Sequence, residues 1–143
     1  MTYMGETELR KFLALFALSN LTNGNKDVLL MQSLVRAKCC EQLSMAHCPT
    51  DSPTLAFMTG LFSMVDSLLS MPMQQVLKQL PLPPSITEAL LHGRGSLGRY
   101  LKMIIAYEET DWSLVDNLAE KMTTQPDMAK IYQTAVVWAQ EIL

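Results

Sequence analysis

Proline and glycine punctuation constrains this chain most. Pro49 and Pro53, Pro72, the Pro81, Pro83 and Pro84 group, and Pro126 cut it into short segments, with Gly24 and Gly93 marking further stops. Proline lacks the amide donor that a helix interior needs, and glycine relaxes the backbone where a helix must end. Between these breaks apolar residues recur at three- and four-residue spacings, without the alternation of a strand. The pattern predicts an all-α fold, a compact array of about seven or eight short helices rather than a long bundle.

The first apolar stripe, Leu9, Phe12, Leu13 and Phe16, predicts a helix over residues 6–21, stopped at residues 22–25. The second helix spans residues 26–47, with Val28, Met31, Val35, Cys39, Leu43 and Ala46 on one face. The third carries Leu55, Met58, Leu61, Phe62, Val65, Leu68 and Leu69, is apolar nearly all round, and is expected at the centre of the domain. Ser70 is expected to cap a short helix holding Pro72, Met73, Val76, Leu77 and Leu80. A helix over residues 84–91 should end at Gly93, and Ser96 should cap the next, with Leu97, Tyr100, Leu101, Ile104 and Ile105 inward. Thr110 or Asp111 starts a segment with Trp112, Val115, Ala119 and Met122 inward. Pro126 and Asp127 start the last, whose stripe is Met128, Ile131, Tyr132, Ala135, Trp138, Ala139 and Ile142.

The 143 residues suit one domain, and 49% hydrophobic with 17% charged residues describes a folded chain. A net charge of -3 gives no electrostatic case for nucleic acid. Three cysteines do not suggest a disulfide framework, so a reducing cytoplasm is expected. The apolar run over residues 12–18 is about a third of a membrane span. It follows Arg10 and Lys11, but Glu6 and Glu8 lie upstream and no small-residue cleavage site follows. A buried helix is expected there, with no membrane insertion. The 11 methionines read as gap fillers between helices.

Four chemical signals stand out. Gly93-Arg94-Gly95-Ser96-Leu97-Gly98 spells G-x-G-x-x-G, but a nucleotide site needs a preceding strand, and here a helix precedes. A turn between helices is expected, with Arg94 beside a helix amino terminus. Cys39, Cys40, His47 and Cys48 invite a zinc reading. Adjacent helical residues point about 100° apart, and Cys40 and His47 stand about 10 Å apart along the axis. Buried thiols fit better than a metal. Arg36, Lys38 and Glu41 lie together on the second helix and read as a solvated face, with Lys38 and Glu41 spaced to pair and an interdomain salt bridge as the sharper alternative. Trp112 and Trp138 read as core anchors, although a partly exposed tryptophan often marks an interface.

Met4-Gly5-Glu6-Thr7-Glu8-Leu9-Arg10-Lys11-Phe12 resembles a stretch from the middle of HDOD domains, and Val35-Arg36-Ala37-Lys38-Cys39-Cys40-Glu41 resembles the helix that follows it there. Residues 72–91, 93–107 and Asp111-Trp112 are similar to the tail of HDOD domains fused to EAL domains. Gly60-Leu61-Phe62-Ser63-Met64-Val65-Asp66 stands where HD-type hydrolases carry their His-Asp metal dyad. Ser63 and Met64 replace that dyad, and neither a hydroxyl nor a thioether substitutes for a hard metal's ligands. The resemblance therefore implies no metal, no cofactor and no catalysis. It implies instead a regulatory interaction module of bacterial signal transduction, working on a protein partner or a linked EAL-type domain in cyclic di-GMP signalling. Arg36, Glu41, Met64, Arg94 and Trp112 are the candidate contact residues. The resemblance also implies that half of an HDOD domain is missing upstream, leaving an exposed apolar face where it docks. Two rival readings are a cryptic HD-type metal phosphohydrolase and a small-ligand sensor with a pocket among Met58, Phe62 and Met64.

Overall fold

The computed structural model describes residues 27–47, 52–79, 82–122 and 126–142. They form eight helices: α1 (Asp27–His47), α2 (Pro53–Phe62), α3 (Val65–Leu69), α4 (Met73–Gln79), α5 (Pro84–His92), α6 (Gly95–Glu108), α7 (Trp112–Glu120) and α8 (Met128–Ile142). The described residues contain no strand, and the fold is all-α. The helix expected over residues 6–21, its stop, and Cys48 lie outside the described residues.

α1 is the axis, with α2, α3, α6 and α8 packed around it. The third helix, expected at the centre, is buried along much of α2, with Ala56, Met58, Leu61 and Phe62 in the core. Burial on several sides explains why small and apolar residues spread round α1: Leu34, Val35, Ala37, Cys39, Cys40 and Leu43 are all buried. The predicted stripe fails only at its ends, where Val28 and Ala46 are exposed.

The closest approach is between α1 and α2. Ser33, Ala37, Cys40 and Ser44 recur along one row of α1, and all four are buried. On α2, Gly60 meets the α1 backbone directly. A Cβ at Gly60 would lie 2.5 Å from the carbonyl oxygen of Arg36 and 2.7 Å from Cα of Ala37. Ser33 donates its hydroxyl to the carbonyl of Leu61 across the seam, at 3.1 Å. The buried hydroxyls of Thr59 and Ser44 donate to the carbonyls of Leu55 and Glu41, so none is left without a partner.

Helix ends follow local chemistry with two corrections. Ser52 caps α2, accepting from the Leu55 amide, with Pro53 in the first turn. Asp111 caps α7 by accepting from the Leu114 amide, as the sequence predicts. Gly93 ends α5 in the left-handed region at φ 65°, and the Gly93 and Arg94 amides donate to the carbonyls of Ala89 and Glu88. The G-x-G-x-x-G segment thus comprises the Gly93–Arg94 junction between α5 and α6 and the first turn of α6. Gly98 is needed because a Cβ there would collide with the Gly93 backbone. Ser70, expected as an amino-terminal cap, instead ends α3 in the left-handed region at φ 55°. Ser96 lies inside the first turn of α6, whose cap position is Arg94 with no side-chain capping bond.

The apolar stretch expected as one helix through Leu69 breaks at Ser63 and Met64. Met64 has φ -115° and ψ 11°, outside helical geometry. Phe62 and Val65 still enter the core on either side.

Adding one methyl at Gly60 must push α1 from α2. Gly60→Ala should lower unfolding free energy by about 1–3 kcal/mol, read from the shift in a urea denaturation midpoint. An unchanged midpoint would mean that the seam has slack.

Candidate functional site

The Ser63–Met64 step is the place to look for hydrolase chemistry, and Gly60 determines what faces it. Because α2 lies against the α1 backbone at Arg36, the turn after α2 comes within reach of the Arg36 side chain. Arg36 donates from Nη1 to the Ser63 hydroxyl at 3.2 Å, and Ser63 donates to the Gly60 carbonyl at 2.7 Å. This pair of bonds holds the turn that interrupts the α2–α3 stretch.

The rest of the guanidinium faces Glu108, the last residue of α6. Nη2 donates to Oε1 at 2.7 Å, and Nε donates to Oε2 at 3.0 Å. This is a two-pronged ion pair, the geometry in which arginine and carboxylate bind most strongly. Both side chains are about nine-tenths buried, at 12% and 11% exposure. Gln32 adds a third donor, its amide nitrogen 3.1 Å from Oε1 of Glu108. A carboxylate at a helix carboxyl terminus faces the negative end of the dipole, so Glu108 depends on this cation.

The cluster also acts on its neighbours. Burial pushes the Cys39 thiol from its ordinary 9.0 up to about 12, and the Glu108 charge adds to the effect. Cys40 is raised by burial foremost and by Cys39 next. Tyr132 is raised by burial and then by Glu108. Cys39 and Cys40 are both fully buried, as the sequence reading expected. Among the described residues no group of three or more His, Cys, Asp or Glu side chains is placed to hold a metal ion.

The five candidate contact residues do not form one surface. Arg36 turns inward to Glu108, away from Lys38 and Glu41, with which it was expected to share a solvated face. Lys38 and Glu41 do pair, at 2.9 Å. Lys38 also lies 5.2 Å over the Trp138 ring, which Phe57 meets edge-on. Met64 is buried. Arg94 is exposed and pairs with Glu88 at 3.0 Å. Trp112, expected among the core residues of α7, is 53% exposed. Met58, Phe62 and Met64, among which a pocket was considered, are all buried. A groove of about 470 Å³ lies instead along α8, bordered by Lys38, Lys130, Val137 and Trp138. Sequence reasoning missed Glu108 and Gln32. Their only signal is an acid at the wrong end of a helix.

No family model matches the chain, and no solved structure matches it significantly. The cyclic di-GMP phosphodiesterase CdgJ of Vibrio cholerae is 29% identical over 143 residues, which is 99% of this chain and 33% of CdgJ. The uncharacterized protein YuxH of Bacillus subtilis is 22% identical over 98% of this chain and 34% of its own length. The chain thus spans about a third of each of these curated relatives. Among the described residues, no helix is long and apolar enough to cross a membrane.

Two outcomes follow from this geometry. A double-mutant cycle of Arg36→Met and Glu108→Gln should give a coupling energy of about 1–3 kcal/mol in denaturation experiments. A value near zero would show that the pair is dispensable. The raised thiols give a pH dependence of definite sign. The folded state holds Cys39 as the neutral thiol, while the unfolded chain ionises near 9.0. Its contribution to stability is therefore complete below pH 9 and is lost as pH rises from there toward 12. Stability measured from pH 8 upward should decline less steeply in Cys39→Ala than in the native chain.

Proposed function

We propose that this chain is a non-catalytic regulatory module, the later part of an HDOD-type domain, acting in cyclic di-GMP signalling. It works through a protein partner or a linked EAL-type domain, and residues 1–143 form one helical domain in this reading. Similarity to CdgJ over nearly the whole chain supports the pathway. That the match occupies a third of CdgJ supports a module attached to, or acting on, something else.

The observation that carries the non-catalytic reading is the Arg36 guanidinium on Ser63. At the step where the resemblance puts a metal dyad, this chain offers a hydroxyl and a thioether, with a fixed cation against the hydroxyl. A divalent ion there would lack hard ligands and would compete with Arg36 for the Ser63 hydroxyl. Hydrolysis of this class depends on such an ion to activate water, so the set of side chains at this step disfavours it. The same atoms hold the turn between α2 and α3, which is a structural role.

The test has two readouts. Untagged chain should contain well under one equivalent of transition metal by elemental mass spectrometry, and should not hydrolyse cyclic di-GMP when manganese or magnesium is supplied. Stoichiometric metal together with turnover would overturn the non-catalytic reading. Tagged chain should also retain a specific partner from extracts of its native bacterium at moderate salt. If the full-length protein recovers nothing either, the interaction reading fails.

A further inference from the structure

An aromatic row crosses the face where α6, α7 and α8 meet. Tyr107 stands edge-on to Trp112 with centroids 5.4 Å apart, and tilts against Tyr132 at 5.1 Å. Tyr107 and Tyr132 are half-buried, whereas Trp112 leaves 53% of its surface to solvent. A large exposed indole held by aromatic neighbours is a common anchor of protein interfaces, because it is rigid and loses little entropy on binding.

The surroundings select the occupant. Glu109, Asp111 and Asp116 are all exposed, and among the described residues none of the three is in an ion pair. Asp116 is four residues after Trp112 and shares its side of α7. Glu109 and Asp111 flank Thr110, held in the left-handed region at φ 56° immediately before Trp112. α6 ends at Glu108, so the negative end of its dipole adds to these charges. Trp112 thus stands in an acidic stretch, with Glu109 and Asp111 before it and Asp116 one turn after it, and an exposed indole among such charges attracts a planar cation. The guanidinium fits best, since it stacks flat on an indole while its edge donates to a carboxylate.

We propose that Trp112, Asp116 and Glu109 form a receptor for an arginine side chain presented by the protein partner or linked domain. This deepens the interaction reading above and rests on it. Arginine stacks on Trp112, and the two carboxylates accept from its edge. A lysine fits less well because its ammonium cannot lie flat, and a neutral side chain of the same shape loses the attraction.

The two tryptophans of the chain supply an internal control. Their indole N–H signals are followed by NMR in the ¹⁵N-labelled chain during titration with N-acetylarginine amide, N-acetyllysine amide and the neutral isostere N-acetylcitrulline amide, at matched ionic strength. Arginine should move the Trp112 signal in a saturable way, binding about two- to fivefold tighter than citrulline. Trp138, which already has Lys38 over its ring, should move little. The double variant Glu109→Gln, Asp116→Asn, which changes only exposed groups, should lose the preference for arginine over citrulline. Equal response to citrulline, equal movement of both indoles, or an undiminished preference in the double variant would overturn the proposal. The partner pull-down reads any interface, so it can succeed even where this titration fails.

Discussion

The contact of Gly60 with the α1 backbone governs how α1 and α2 pack. A side chain at that position would meet the carbonyl of Arg36 at 2.5 Å, so only glycine lets the two helices come this close. Proximity there has two effects. It lets Ser33 bond across the seam to Leu61, satisfying a buried hydroxyl. It also brings the end of α2 under the Arg36 side chain, which then fixes the turn at Ser63. The helical path is interrupted there, and the turn is held by the local bond of Ser63 to Gly60 together with the tertiary bond from Arg36.

Arg36 joins three elements that are far apart in the chain: its own helix, the turn after α2, and the end of α6. A buried ion pair is weak evidence of net stability, because desolvation offsets much of the attraction. Here the geometry is favourable on both counts that matter. The pairing is two-pronged, and Gln32 and Ser63 engage further valences of the two charges. The pair ties α1 to the last residue of α6. Specificity of arrangement is its more natural role than raw stability.

Most of the helical layout was legible from periodicity and punctuation. Gly93 and Asp111 end and begin helices where the sequence places them, because capping is a local affair of a few residues. The buried thiols were legible too, since cysteine is a small apolar residue and these two sit in the apolar pattern of α1. The break at Ser63 was not legible. Phe62 and Val65 keep apolar spacing through it, and one of the bonds that hold it comes from Arg36, 27 residues away. The inward turn of Arg36 was hidden for the same reason, as its partner Glu108 is 72 residues distant. Trp112 misled in another way. It shares the apolar row of α7 with Val115 and Ala119, but it is the first residue of the helix, beyond the edge of the core.

The ion pair and the exposed tryptophan are two sides of one electrostatic arrangement. α6 ends in Glu108 and is followed by Glu109 and Asp111, an accumulation of negative charge at the negative end of a helix. A folded chain can tolerate such a build-up by supplying a cation or by leaving the charges in water. Arg36 takes the first course for Glu108, whose side chain faces inward. Glu109, Asp111 and Asp116 take the second, and they lie within four residues of the exposed Trp112 in the chain. If the internal guanidinium is what the inner carboxylate requires, an external guanidinium is the matching solution for the outer ones. The same chemistry then serves the fold on one side of α6 and recognition on the other.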